Sequence, residues 1–158
     1  MNFDVYKLVD VNDDIIEELL SWKYEKPYNI YDLHLNNYLI NKDKWGNEQF
    51  ALVNGGDIIG QVACQIIDDN MWVGWSLKPG LCGSGIGDLF VKKCIDELIS
   101  LKKYSGEYIF LKVVDWNKRA IKAYEKAGFM YYRNTERKED DKLVRYFIMK
   151  KVMMYLDN

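Results

Sequence analysis

The sequence predicts an α/β fold in which a mixed sheet is flanked by helices. Three observations carry that expectation. Apolar periodicity switches between strand-like and helix-like spacing along the chain, in the order β-α-α-β-β-β-α-β-α-β-β. Two runs, residues 71–77 (MWVGWSL) and 108–114 (YIFLKVV), are almost unbroken in apolar side chains, as strands buried on both faces are. The first of these runs leads to three alternating glycines, Gly83, Gly85 and Gly87, at the mouth of a helical pattern.

Each element follows in order. Residues 3–9 (FDVYKLV) alternate and predict a strand. Asn12 or Asp13 caps a helix through IIEELLSWKY, striped by Ile15, Ile16, Leu19, Leu20 and Trp22 and broken at Pro27. Residues 31–40 (YDLHLNNYLI) predict a second short helix, with Leu33, Leu35, Tyr38 and Leu39 apolar. QFALVN and IIGQVACQII predict two strands turning at Gly55-Gly56, and Asp68 to Asn70 turns into the strand 71–77, which Pro79 ends. From Gly85 to about Lys102, Ile86, Leu89, Phe90, Cys94, Ile95 and Leu98 keep a helical period. YSGE turns into the strand 108–114. A further helix covers NKRAIKAYEKAG, with Asn117 near its start and Gly128 as its stop. FMYYRN and KLVRYFIMKKV predict a closing antiparallel pair.

Composition bounds the function. A chain of 158 residues suits one domain, residues 1–158, with one core. A net charge of −2 and a pI of about 5.5 leave no general basic field, so no nucleic-acid partner is expected. Three cysteines at irregular spacing, Cys64, Cys82 and Cys94, suit neither a disulfide framework nor a zinc site, so no metal is expected. Reduced thiols, a charged N-terminal segment without signal-peptide character, and no apolar run near the ~18 residues of a membrane span predict a cytoplasmic protein without a membrane partner.

The glycines pose the functional question, because glycine inside a helix costs about 1 kcal/mol against alanine. A helix N-terminus offers unpaired N–H groups and a partial positive charge, and bare backbone lets a phosphate approach them. The bland reading is a glycine turn that packs helix against strand. The usual nucleotide motifs do not fit. A P-loop needs Gly-Lys-Ser/Thr, but Gly87 is followed by Asp88 and Leu89. A dinucleotide fingerprint starting at Gly83 and Gly85 would need its third glycine at Asp88, and the acidic residue at the end of the next strand, Asp115, lies too far on.

A second segment changes the weighing. Asn117, Ala120-Ile121, Tyr124-Glu125-Lys126 and Gly128-Phe129, together with Cys82-Gly83-Ser84-Gly85-Ile86-Gly87, resemble the GNAT superfamily of acetyl-CoA-dependent N-acetyltransferases. The resemblance implies a mostly antiparallel mixed sheet whose fourth and fifth strands, 71–77 and 108–114, splay apart around the pantetheine arm of acetyl-CoA, the co-substrate. It implies that backbone groups at Trp75, Ser76 and Leu77 hold the pantetheine. Gly83, Ser84, Gly85, Ile86, Gly87 and Asp88 cradle the pyrophosphate, and Asn117 hydrogen-bonds the cofactor. Asn117 equally reads as a helix N-cap, and both roles can coexist. Tyr124 matches the family's general acid, the group that protonates the departing CoA thiolate. From its helical spacing alone it reads as a core aromatic. Lys118, Arg119 and Lys122 beside Asn117 are candidates for the 3′-phosphate of CoA.

Two residues depart from the family pattern. Cys82 stands where Gln or Arg is usual, and backbone contacts to phosphate tolerate that. Lys112 stands where the branch acting on ribosomal-protein N-termini has a glutamate base, which argues against that acceptor. The family's variable acceptor region corresponds to residues 21–34, where Trp22, Tyr24, Tyr28 and Tyr31 cluster around Pro27, as a small core under a loop or as an aromatic wall for a cationic or apolar acceptor. Glu25, Asp32, His34 or an ordered water is the candidate base. The expected activity is acetyl transfer to a small-molecule or peptide amine by a monomer or homodimer. The alternative is a catalytically silent CoA-binding sensor or scaffold.

Overall fold

The structure, a computed structural model, describes residues 1–33 and 48–155. Seven strands form one sheet in the order β1-β2-β3-β4-β5-β7-β6: β1 (Lys7–Asp10), β2 (Glu48–Asn54), β3 (Asp57–Ile67), β4 (Asn70–Leu77), β5 (Tyr108–Val114), β6 (Met130–Glu139) and β7 (Lys142–Val152). All neighbours are antiparallel except β4 and β5. Among the described residues the helices are α1 (Asp13–Ser21), α2 (Gly87–Lys102) and α3 (Lys118–Lys126).

Strand alternation divides the core between the two sheet faces. Ala51 and Ile58 meet Ile15, Leu19, Trp22 and Leu33 on the α1 side. Phe50, Leu52 and Val62 meet Phe90, Val91, Cys94, Ile95 and Leu98 of α2 on the other. A register shift between Leu52 and Val53 inserts one residue into β3, so Ile59 and Val62, an odd number apart, both reach the α2 face.

The sheet opens where the sequence places its two most apolar strands. β4 and β5 pair in parallel only at Met71↔Ile109 and Trp72↔Phe110. Beyond those pairs β4 stays with β3, and β5 stays with β7, so a V opens toward the C-terminal ends of both strands. This is the splayed geometry that the resemblance implied.

Several boundaries differ from expectation. Residues 3–5 form a 3₁₀ turn rather than strand, because the Asn2 side chain accepts the Asp4 N–H at 3.0 Å. α1 stops at Ser21, before Trp22, whose backbone is extended. α2 begins at Gly87, not Gly85, since Gly83 and Gly85 have φ of +75° and +83°. The final hairpin is longer than expected, with β6 running to Glu139. Asp140 and Asp141, both at positive φ, make the two-residue turn that its twist favours. The helix expected over 31–40 lies outside the described residues from 34 onward; Tyr28–Tyr31 is a 3₁₀ turn.

Candidate active site

A cavity of about 800 Å³ occupies the V. β4 lines it with Trp75, Ser76 and Leu77. The loop into α2 adds Gly83, Gly85, Gly87 and Asp88, and the start of α3 adds Asn117, Arg119, Lys122 and Tyr124. The segment after α1 closes one side with Tyr24, Tyr28, Tyr31 and Asp32. Thus residues from four separate stretches of sequence share one wall.

The glycine loop presents backbone to this cavity. α2 has no side-chain N-cap at Ile86, so its first N–H groups are not taken by a capping side chain. A Cβ at Gly87 would lie 3.2 Å from the Cβ of Ala123, which explains the close approach of α2 to α3 there. Ser84 and Ile86 do not line the cavity; Ser84 Oγ donates to the Leu81 carbonyl at 2.5 Å. The Cys82 Sγ lies 3.6 Å from the Leu77 and Lys78 carbonyls, and burial pushes its thiol pKa up against the pull of Arg119. It is a poor nucleophile in that state.

Tyr124 sits at the meeting point of α3 and β4. Trp75 Nε1–H donates to its hydroxyl oxygen at 3.1 Å, with ring centroids 5.9 Å apart, and Phe129 packs edge-on at 6.1 Å. Because Trp75 uses the oxygen as an acceptor, the phenolic proton is left to donate. Burial pushes the Tyr124 pKa up to about 12, with the Trp75 bond partly opposing. The hydroxyl is therefore protonated at any physiological pH.

Asn117, 6% exposed, caps α3 by accepting the Ala120 N–H at 3.1 Å, and its amide donates to the Tyr31 hydroxyl at 3.0 Å. Two further ties fasten the same segment. Tyr24 donates to the Leu77 carbonyl at 2.7 Å, and the Arg119 guanidinium lies 4.0 Å over the Tyr28 ring. The three tyrosines expected at the acceptor side thus each hold a residue expected at the cofactor side.

Trp22 does not join them. At 5% exposure it packs with Leu19 and Leu33 in the α1 core, so it is a core side chain rather than a cavity wall. Of the candidate bases, Glu25 is exposed and does not line the cavity, and Asp32 Oδ1 accepts the Tyr24 N–H at 2.8 Å. His34 lies outside the described residues. Lys118 is exposed and off the cavity wall. The sequence reading missed Lys126, Glu139 and Tyr146, which also line the cavity: Glu139 lies beyond the expected strand FMYYRN, and Tyr146 falls inside the expected last strand with nothing in its spacing to aim it at a cavity. Among the described residues no helix is long and apolar enough to cross a membrane, and no group of His, Cys, Asp and Glu is gathered as metal ligands.

The splayed sheet, the glycine loop and the Asn117–Phe129 motif define a GNAT-type acyltransferase. A profile of the Acetyltransferase (GNAT) family matches residues 14–129, so the chain belongs to that family. No curated sequence matches it. Solved structures share the fold. A spermidine N-acetyltransferase chimera from Vibrio cholerae and hSSAT has a TM-score of 0.72 at 14% identity, over 93% of this chain and 95% of that one. AAC(6')-Ib in complex with paromomycin and acetyl-CoA gives 0.68 at 17%, over 93% of each. The ribosomal-protein-S18-alanine N-acetyltransferase from Escherichia coli gives 0.66 at 17%, over 97% of each. At such identities the likeness speaks for the fold.

Proposed function

We propose that the protein transfers an acetyl group from acetyl-CoA to a primary amine, with Tyr124 as the general acid. The observation that carries this reading is the Tyr124 hydroxyl, held by Trp75 in the V between β4 and β5 with its own proton available. The acetyl-CoA found with AAC(6')-Ib, a protein of the same fold, supports the choice of co-substrate.

The chain's own residues divide the work. The backbone groups of Trp75 and Leu77 face the V where β5 has parted, while those of Ser76 pair with β3. Trp75 and Leu77 thus offer the pantetheine amides a strand edge, with the Leu77 carbonyl already accepting the Tyr24 hydroxyl. The N–H groups from Gly83 to Asp88 take the pyrophosphate, favoured by the positive end of α2. Tyr24, Tyr28 and Tyr31 form the acceptor wall. Bound acetyl-CoA presents its thioester to a neutral amine, the amine nitrogen bonds to the carbonyl carbon, and the carbon–sulfur bond breaks. Charge builds on sulfur beside the Tyr124 O–H, which donates its proton. A thiol is ordinarily near 8.5, well below a phenol at about 12, but the burial that lifts Tyr124 also lifts a thiolate formed beside it, so the two stay closer than free values suggest. The direct test is thiol release from acetyl-CoA on adding spermidine, paromomycin or an alanyl-terminated peptide, with the acetylated amine identified by mass.

Arg119 and Lys122 line the cavity beside the loop, and we assign them to the 3′-phosphate of CoA. Arg119→Ala or Lys122→Ala is expected to weaken CoA several-fold while leaving dephospho-CoA unchanged, whereas Lys118→Ala should change neither. Calorimetry with both ligands checks it; equal discrimination in all three variants would exclude the assignment.

A further inference from the structure

A primary amine reaches a cavity at neutral pH as an ammonium ion, since its pKa is about 10. Attack on the thioester needs the lone pair, so a proton must leave first. This inference rests on the acetyl-transfer reading above and concerns the group that removes that proton. Glu25 is off the cavity wall, and Asp32 is engaged in holding its own loop.

We propose that Tyr146 and Glu139, on the β6–β7 hairpin, form the proton outlet for the acceptor: the Tyr146 hydroxyl meets the acceptor nitrogen, and the Glu139 carboxylate receives the proton. Tyr146 donates to Glu139 Oε1 at 2.6 Å, and both side chains line the cavity that Tyr124 lines. Tyr146 pairs with Val114 at the end of β5, beyond the point where β4 has parted from it. The dyad therefore stands at the open end of the V.

The step balances. An ammonium N–H bond breaks and its proton passes to the Tyr146 oxygen, while the Tyr146 proton passes to Glu139. The phenol is neutral before and after, the amine becomes neutral, and the carboxylate becomes a carboxylic acid. The Glu139 side chain is 44% exposed, so the proton can leave to water. Burial and the Glu139 bond hold the Tyr146 pKa well above that of an ordinary tyrosine, so the phenol is protonated and ready to relay.

The surrounding charges come from each packed element. Lys112 of β5 has its ammonium 4.5 Å over the Tyr146 ring, and burial, aided by Arg137, lowers its pKa. Arg137 of β6 has Nε 3.9 Å from Glu139 Oε1. Tyr31 of the acceptor segment lines the same cavity as Tyr146 and Tyr124, with its hydroxyl accepting from the Asn117 amide. Arg145 of β7 is occupied by Glu136 at 3.3 Å, and Asp140 and Asp141 make the adjoining turn. Lys112 and Arg137 thus set two cations beside the Tyr146–Glu139 pair.

The test measures kcat/KM for the amine between pH 6.5 and 9.5 in wild type, Glu139→Gln and Tyr146→Phe, using whichever of spermidine, paromomycin and an alanyl peptide turns over fastest, with acetyl-CoA affinity measured by calorimetry. At pH 7 each variant is expected to lose about 100-fold or more, the low end of general-base effects. The gap should narrow as pH approaches the amine's own pKa, where no base is needed, and acetyl-CoA affinity should not change. A loss equal at every pH would mean the pair merely packs the hairpin, and wild-type rates in both variants would mean another group takes the proton; either overturns the proposal and leaves acetyl transfer intact. No turnover of any amine by wild type would overturn the acetyl-transfer reading and this inference with it.

Discussion

Tyr124→Phe is expected to lower kcat by about 10²–10⁴-fold, the usual range for general acid catalysis. That corresponds to about 3–5 kcal/mol of transition-state stabilisation. The substitution keeps the ring that packs against Trp75 and Phe129 and removes only the hydroxyl. It does leave the Trp75 N–H without its acceptor, a cost of about 1–3 kcal/mol in stability if water cannot replace it. Turnover therefore separates the two roles of Tyr124. Either role allows a lower melting temperature, but a core aromatic keeps near-normal kcat, whereas a general acid gives a large loss in kcat with acetyl-CoA affinity nearly unchanged, because the interaction is made mostly in the transition state. The pH profile adds a second check. With its pKa pushed up to about 12, Tyr124 keeps its proton across the working range, so wild type should show no alkaline loss of activity from this group below about pH 11. A kcat within about threefold of wild type, assayed where chemistry limits the rate, would place the acid elsewhere, because general acids are worth far more.

The second large effect is on binding. Gly85→Glu puts a carboxylate in the loop assigned to the pyrophosphate. At roughly 5 Å and an effective dielectric of about 20, each pair of like charges repels by about 3 kcal/mol. Acetyl-CoA should therefore bind about 100-fold more weakly or worse. Gly85 also has φ +83°, so any side chain there carries about 1–2 kcal/mol of backbone strain. Gly85→Ala supplies that strain without the charge, and no atom lies within 4 Å of its added Cβ. The alanine variant is expected to retain much of the affinity that the glutamate variant loses. Calorimetry on both, with circular dichroism to check folding, decides it. Equal affinity in wild type and Gly85→Glu would remove the loop from the pyrophosphate site.

The sheet was legible in the sequence because its most buried strands are nearly continuous apolar runs and its turns carry Gly55-Gly56 and Asp68-Asp69. The V between β4 and β5 was legible only through the resemblance, since no periodicity says that two strands start paired and then part. The edges were lost to local polar chemistry. Asn2 captures the chain into a 3₁₀ turn where alternation suggested a strand, and TERKE is too polar to read as strand although its partner β7 pairs with it throughout. On the acceptor side, aromatic clustering grouped Trp22 with Tyr24, Tyr28 and Tyr31, but α1 ends one residue before Trp22 and its stripe turns that ring into the core. Glu139 and Tyr146 are seven positions apart on opposite strands of a hairpin. Only the folded hairpin brings them to one cavity, so residue spacing carried no sign of them.

A crystal structure of the protein with CoA would bear most directly on acetyl transfer in the V. The expected result is the pantetheine between β4 and β5, the pyrophosphate against the backbone from Gly83 to Asp88, and the CoA sulfur within hydrogen-bonding reach of the Tyr124 hydroxyl. CoA bound outside the V, or with its sulfur turned away from Tyr124, would contradict it.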